Sequence, residues 1–103
     1  MLISDEDLLL AAKAAGVTPG TMTLHNIVTW LWNPVDKDVD SFRLMLALRK
    51  YGLEILITEN GCNVSVAAFR DCDTFELFED CEIFAAARLA IFRAAVAIGR
   101  AIS

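Results

Sequence analysis

The period of the apolar positions changes several times along the chain, and each change marks an element. Leu8, Leu9, Ala11, Ala12 and Ala15 recur at helical spacing behind Ser4 and Asp7, a pair with the form of a capping box. Asp5, Glu6 and Asp7 suit the positive end of that helix, and Gly16 can close it in the left-handed conformation. Thr18-Pro19-Gly20 then breaks the chain. Residues 21–32 are β-branched and aromatic, which predicts a strand best paired over 27–32, with Trp30 and Trp32 on one face and Asn33-Pro34 ending it. Helical spacing returns at Val39, Phe42, Met45, Leu46 and Leu48, with Asp36, Asp38 or Asp40 as its N-cap and Gly52 as its C-cap. Residues 53–58 and 64–69 flank Asn60-Gly61, a strong hairpin signal, and 74–78 alternate as a further short strand. A last helix, capped by Asp80, runs to about Arg100. The expected fold is a single-domain α+β sandwich over residues 1–103, in the order α-β-α-β-β-(β)-α. Three helices cover a mainly antiparallel sheet of three or four strands.

The last helix is the informative element. At 100° per residue, Phe84, Leu89, Ile91, Phe92, Val96 and Ile98 share a broad face, while Ala86, Ala87, Ala90, Ala94, Ala97 and Ala101 lie opposite. Only three of its nineteen residues from 83 to 101 are charged, so a solvated face is missing. An alanine face admits another helix closely. Ala90, Ala94 and Ala97 are therefore candidates for the contact of a two-fold homodimer, the alternative being the first helix, itself rich in alanine. Arg88 falls within the large apolar face and needs an anionic or carbonyl partner. Asp36, Asp38 or Asp40 could supply it internally; otherwise Arg88, with Arg93, is a candidate binding site for a carboxylate or phosphate.

Composition narrows the function classes. The 103 residues are 56% hydrophobic and 22% charged, with mean hydropathy +0.50. Disorder and a disulfide-knotted miniprotein are excluded. A net charge of −5 and a pI near 4.6 oppose nucleic-acid binding. The apolar run 83–98 is too short to span a bilayer and contains Arg88 and Arg93. Cys62, Cys72 and Cys81, spaced by ten and nine residues with His25 the sole histidine, lack metal-site spacing and are expected as reduced thiols without metal or cofactor. Six acids within twelve residues (Asp71, Asp73, Glu76, Glu79, Asp80 and Glu82) form either a solvated face or a surface for a basic partner. No base, nucleophile or phosphate loop accompanies them, so no catalytic residue is assigned.

Four tracts carry a resemblance. They are Asp7-Leu8-Leu9-Leu10-Ala11-Ala12-Lys13-Ala14-Ala15-Gly16, Trp32-Asn33-Pro34-Val35, Asp40-Ser41-Phe42-Arg43-Leu44, and Ala86-Ala87-Arg88-Leu89-Ala90-Ile91-Phe92-Arg93-Ala94-Ala95. In this order they resemble a group of small proteins of tailed bacteriophages and prophages, linked to domains described as α-β-α sandwiches. Ser41-Phe42 departs from the Asp-Ala type of pair usual there, and residues 17–29 match no part of the pattern. The resemblance implies the cytoplasm of a bacterial host and brings no activity or site. The function expected is that of a non-enzymatic accessory protein. It would act on a host or phage protein through direct contacts, as an inhibitor of a defence or regulatory complex. A small anionic-ligand binder using Arg88 or Arg93 is the alternative, and an enzyme with an unrecognised site comes third.

Overall fold

A computed structural model describes residues 4–16, 34–78 and 83–102. They form an α+β domain with three helices, α1 (Asp5–Ala14), α2 (Asp38–Ala47) and α3 (Ile83–Ala101), and three strands, β1 (Leu53–Ile57), β2 (Gly61–Val66) and β3 (Thr74–Leu77). The expected strand within 21–32, with His25, Trp30 and Trp32, lies outside the described residues. So do Glu79, Asp80, Cys81 and Glu82.

Local chemistry explains the element boundaries. Ser4 Oγ accepts from the amide of Asp7 at 3.1 Å, closing the first turn of α1, and Gly16 follows that helix at φ +81°. α2 begins differently from expectation. Its N-cap is Lys37, with no side-chain cap, because Asp38 lies inside the first turn with its carboxylate turned to Arg88 and Asp40 is buried. A 3-10 turn, Leu48–Tyr51, extends α2 to Gly52 at φ +75°.

The sheet is antiparallel in the order β1-β2-β3. Ile57 pairs with Cys62, so the hairpin's two loop residues are Glu59 and Asn60. Across the loop the Thr58 amide donates to the Gly61 carbonyl at 3.0 Å, and Thr58 Oγ1 accepts from the Asn60 amide at 3.2 Å. Gly61 is thus the first residue of β2 and has no positive φ. A Cβ there would sit 2.4 Å from the Glu76 carbonyl oxygen and 2.7 Å from the Phe75 ring. Glycine is required for close strand approach, with the Phe75 ring laid across it.

Pairing register assigns the two faces of the sheet. Leu53, Ile55, Ile57, Cys62, Val64, Val66, Thr74 and Glu76 point to one side, where Cys62, Val64 and Val66 are buried beneath α3. Glu54, Leu56, Asn63, Ser65, Phe75 and Leu77 point to the other.

α3 occupies the centre. Thr74 Oγ1 donates to the Ala90 carbonyl at 2.7 Å, so the Ala90 side of the helix faces the sheet. Nine residues on, Gly99 lies half a revolution away, and α1 crosses there. Arg88, on the same side as Gly99, reaches the start of α2. With sheet on one side and helices on the other, Ala90, Ile91, Phe92, Ala94, Ala95, Val96, Ile98 and Gly99 are all buried. A helix apolar all round is a buried helix, which accounts for the three charges in nineteen residues.

Candidate interaction surface

The two arginines singled out from sequence are held by the fold. Arg88, its side chain only 15% exposed, donates from Nε to the Val35 carbonyl at 2.6 Å and pairs through Nη1 with Asp38. Of the three aspartates that could serve it, Asp38 does so, and the pair ties α3 to the turn entering α2. Arg93, half exposed, pairs with Glu76 on β3 and ties α3 to the sheet. Arg100 makes a looser pair with Asp7 at 3.3 Å, joining the end of α3 to α1. All three arginines of α3 reach a carboxylate on a different element, so Arg88 and Arg93 are held at different places, by α2 and by β3.

The alanine face is internal. Ala90 and Ala94 have no exposed surface in the single chain and Ala97 is half-buried. Their expected place in a homodimer contact is corrected, because small side chains here let α3 settle onto β2 and β3. The first helix is not their partner either: it crosses at Gly99, on the far side, where the backbone itself is the contact. Gly99 was the missed signal, a glycine one turn from the end of an otherwise strongly helical run.

Of the described members of the acidic run, Asp73 and Glu76 have structural roles. Asp71 is exposed in a 3-10 turn, Arg70–Cys72. Asp73 Oδ1 accepts from the Val66 amide at 2.9 Å, capping β2 where its pairing with β3 ends. Glu76 faces the core side and holds Arg93. Glu79 lies outside the described residues. Cys62 and Cys72 are free and buried. Burial pushes the Cys62 thiol above its ordinary value of 9.0, and burial, followed by the charges of Asp71 and Asp73, does the same to Cys72. Neither is poised as a nucleophile.

The outward face of the sheet carries exposed apolar side chains among polar ones. On the sheet face turned from α3, Leu56 and Phe75 are 59% and 51% exposed on either side of Asn63. Phe75 and Leu77, with Glu59 and Asn60 of the hairpin, line an open depression of ≈ 430 Å³. Exposed large apolar groups in one contiguous area of a small domain mark contact surfaces more often than scattered single residues do. Sequence reading noted the alternation of Phe75 and Leu77 but not which side of the sheet α3 would cover. Among the described residues no helix is long and apolar enough to cross a membrane, and no three His, Cys, Asp or Glu side chains converge as metal ligands would.

Comparison with family models, with characterised proteins and with solved structures finds no match for this chain. The fold and surfaces define a small α+β domain, one face of its antiparallel sheet covered by a central helix and the other presenting Leu56, Phe75 and Leu77.

Proposed function

We propose that this protein is a non-enzymatic accessory protein that works by direct contact with another protein through the outer face of its sheet. The observation that carries the reading is the exposure of Leu56 and Phe75 on that face. The engagement of Arg88 and Arg93 with Asp38 and Glu76 also favours it over the anionic-ligand reading, since a ligand would have to displace an internal carboxylate. Leu56, Phe75 and Leu77 stand beside the polar Glu59, Asn60 and Asn63, a mixture of apolar and polar groups of the kind that protein contacts use. The phage resemblance extends the proposal: a bacterial cytoplasmic setting and a host defence or regulatory complex as the target. The test is capture from bacterial lysate, with and without phage infection, using wild-type, Phe75→Asp and Glu6→Lys proteins, the last at an exposed site on α1, away from the sheet. A specific protein retained by wild type and by Glu6→Lys but lost with Phe75→Asp supports the reading. Equal retention by all three, or none by any, rejects it.

A further inference from the structure

A second apolar surface, distinct from the sheet face, lies on α2. Val39, Phe42 and Leu46 recur at i, i+3 and i+7 and are 62%, 57% and 45% exposed. Leu44 and Leu48, on the far side of the helix, are the residues that enter the core. The described fold uses one apolar side of α2 and leaves the other outward. The ends of this stripe differ in charge. Asp38 stands at its start, its side chain 70% exposed although paired with Arg88. Arg43 and Arg49 are exposed along its second half, and Arg49 Nη1 donates to the Leu46 carbonyl at 2.7 Å, which holds the guanidinium beside the end of the stripe. At 100° per residue Asp38 lies about 40° from Phe42, and Arg49, in the 3-10 turn that follows α2, is set beside the stripe by its bond to Leu46.

We propose that the stripe is self-complementary and that two copies of this chain pair antiparallel through α2, about a two-fold axis near Phe42 and Arg43. Reversing one helix over the other brings Val39 over the partner's Leu46 and Asp38 beside the partner's Arg49. The midpoints of these two residue pairs lie within one residue of each other, so a single axis serves both. A two-fold contact uses one surface on each copy and closes, whereas a parallel arrangement would set Asp38 against Asp38 and Arg49 against Arg49. The helix has ten residues and is about 15 Å long, so the contact is small and the dimer weak and concentration-dependent.

Sedimentation velocity from about 5 to 300 µM tests this, a range that brackets a weak association. The wild type is expected to shift from monomer to dimer. Phe42→Asp, at an exposed site, is expected to keep its circular dichroism and remain monomeric throughout. Arg49→Glu should weaken the dimer at least about tenfold, one like-charge contact on each side of the axis. Phe75→Asp should leave the dimer unchanged, which separates this proposal from the sheet-face reading. In a Cys81→Ser background, Arg43→Cys should oxidise to a disulfide-linked pair while Thr58→Cys, on the hairpin, does not. A wild type monomeric at the highest concentration overturns the proposal, as does a dimer indifferent to Phe42→Asp. A monomeric wild type whose Phe42→Asp variant is insoluble also overturns it, and assigns the stripe to cover by the rest of this chain.

Discussion

Gly99 of α3 and Leu10 of α1 meet backbone to backbone: a Cβ on Gly99 would lie 2.1 Å from the Leu10 carbonyl oxygen and 3.0 Å from its Cα. No rotamer change relieves such a clash, because the obstructing atoms are main chain. Gly99→Ala removes a helix-interior glycine and so gains about 1 kcal/mol of helix propensity. Separating two buried helices costs more, of the order of 3 kcal/mol. The variant is expected to lose about 2 kcal/mol in urea denaturation. A variant at least as stable as wild type would mean that α1 does not cross there.

Arg88 is expected to act on stability and not on ligand capture. Arg88→Ala leaves the Val35 carbonyl without its donor and frees Asp38, costing about 2 kcal/mol for a largely buried charged hydrogen bond. Asp38→Asn should cost under about 1 kcal/mol, since that carboxylate is mostly solvated. Arg88→Lys should fall close to alanine, because one ammonium cannot reproduce the guanidinium's spread of donors over a carbonyl and a carboxylate. Thermal melts with and without millimolar phosphate check both points: a melting temperature raised by phosphate in wild type and not in Arg88→Lys would restore the binding reading.

Much of this fold is legible in the chain because its signals are local. Ser4 with Asp7, Gly16 and Gly52 act within a turn of their own positions, and their reading agrees with the structure. The hairpin is legible too, but the role of Gly61 is not. Asn-Gly reads as a turn, whereas the glycine answers to Glu76 and Phe75 across the sheet, fifteen and fourteen residues away. The alanine face failed for the same reason. A helical projection says which residues share a side but not what lies over it, and Thr74 and Leu10 settle that from other elements. That Arg88 needs an anionic or carbonyl partner is legible, and it has both, but the choice of Val35 and of Asp38 over Asp36 and Asp40 needed the path of the turn before α2.

Gly61→Ala provides the matching test on the sheet. The backbone at Gly61 does not require glycine, so the whole cost is steric, against the Glu76 carbonyl and the Phe75 ring. A loss of about 1–3 kcal/mol is expected, with β3 pulled from β2 and faster hydrogen exchange at the Phe78 amide, which donates to Asn60. Asn60→Ala, in the loop itself, should change stability by no more than about 0.5 kcal/mol. The reverse order of the two effects would return Gly61 to the turn.

The buried thiols predict an alkaline limit. The folded-state values of Cys62 and Cys72 lie above the ordinary 9.0, so folding favours the neutral thiols. Their contribution is fully present below pH 9.0 and is lost as the pH rises through the folded-state values. Stability from urea titrations should therefore fall as the pH rises above 9.0, and Cys62→Ala should flatten that slope. Disulfide-exchange reagents at pH 8 should modify these two thiols only at the rate of unfolding. Rapid reaction in the folded state would show that the sites are open.

Ala90→Glu separates an internal alanine face from an interface. At an interface, the charge would sit in solvent once the copies part, and a folded monomer would result. Inside, it meets the sheet: Ala90 is fully buried and its own carbonyl accepts the Thr74 hydroxyl, so the carboxylate would be cut off from water. An unpaired buried carboxylate costs several kcal/mol even after taking up a proton. The added volume must also push α3 away from β2 and β3, which breaks the Thr74 bond. Against the 5–15 kcal/mol of a typical domain those losses remove most of the folded population. Ala90→Glu is expected as insoluble or unfolded protein, with Ala94→Glu behaving alike and Ala101→Glu, at the exposed end of the same stripe, folding normally. Size-exclusion chromatography and circular dichroism on the three variants read the result. A well-folded, monomeric Ala90→Glu would place that face outside, and with it the dimer contact the alanines suggest.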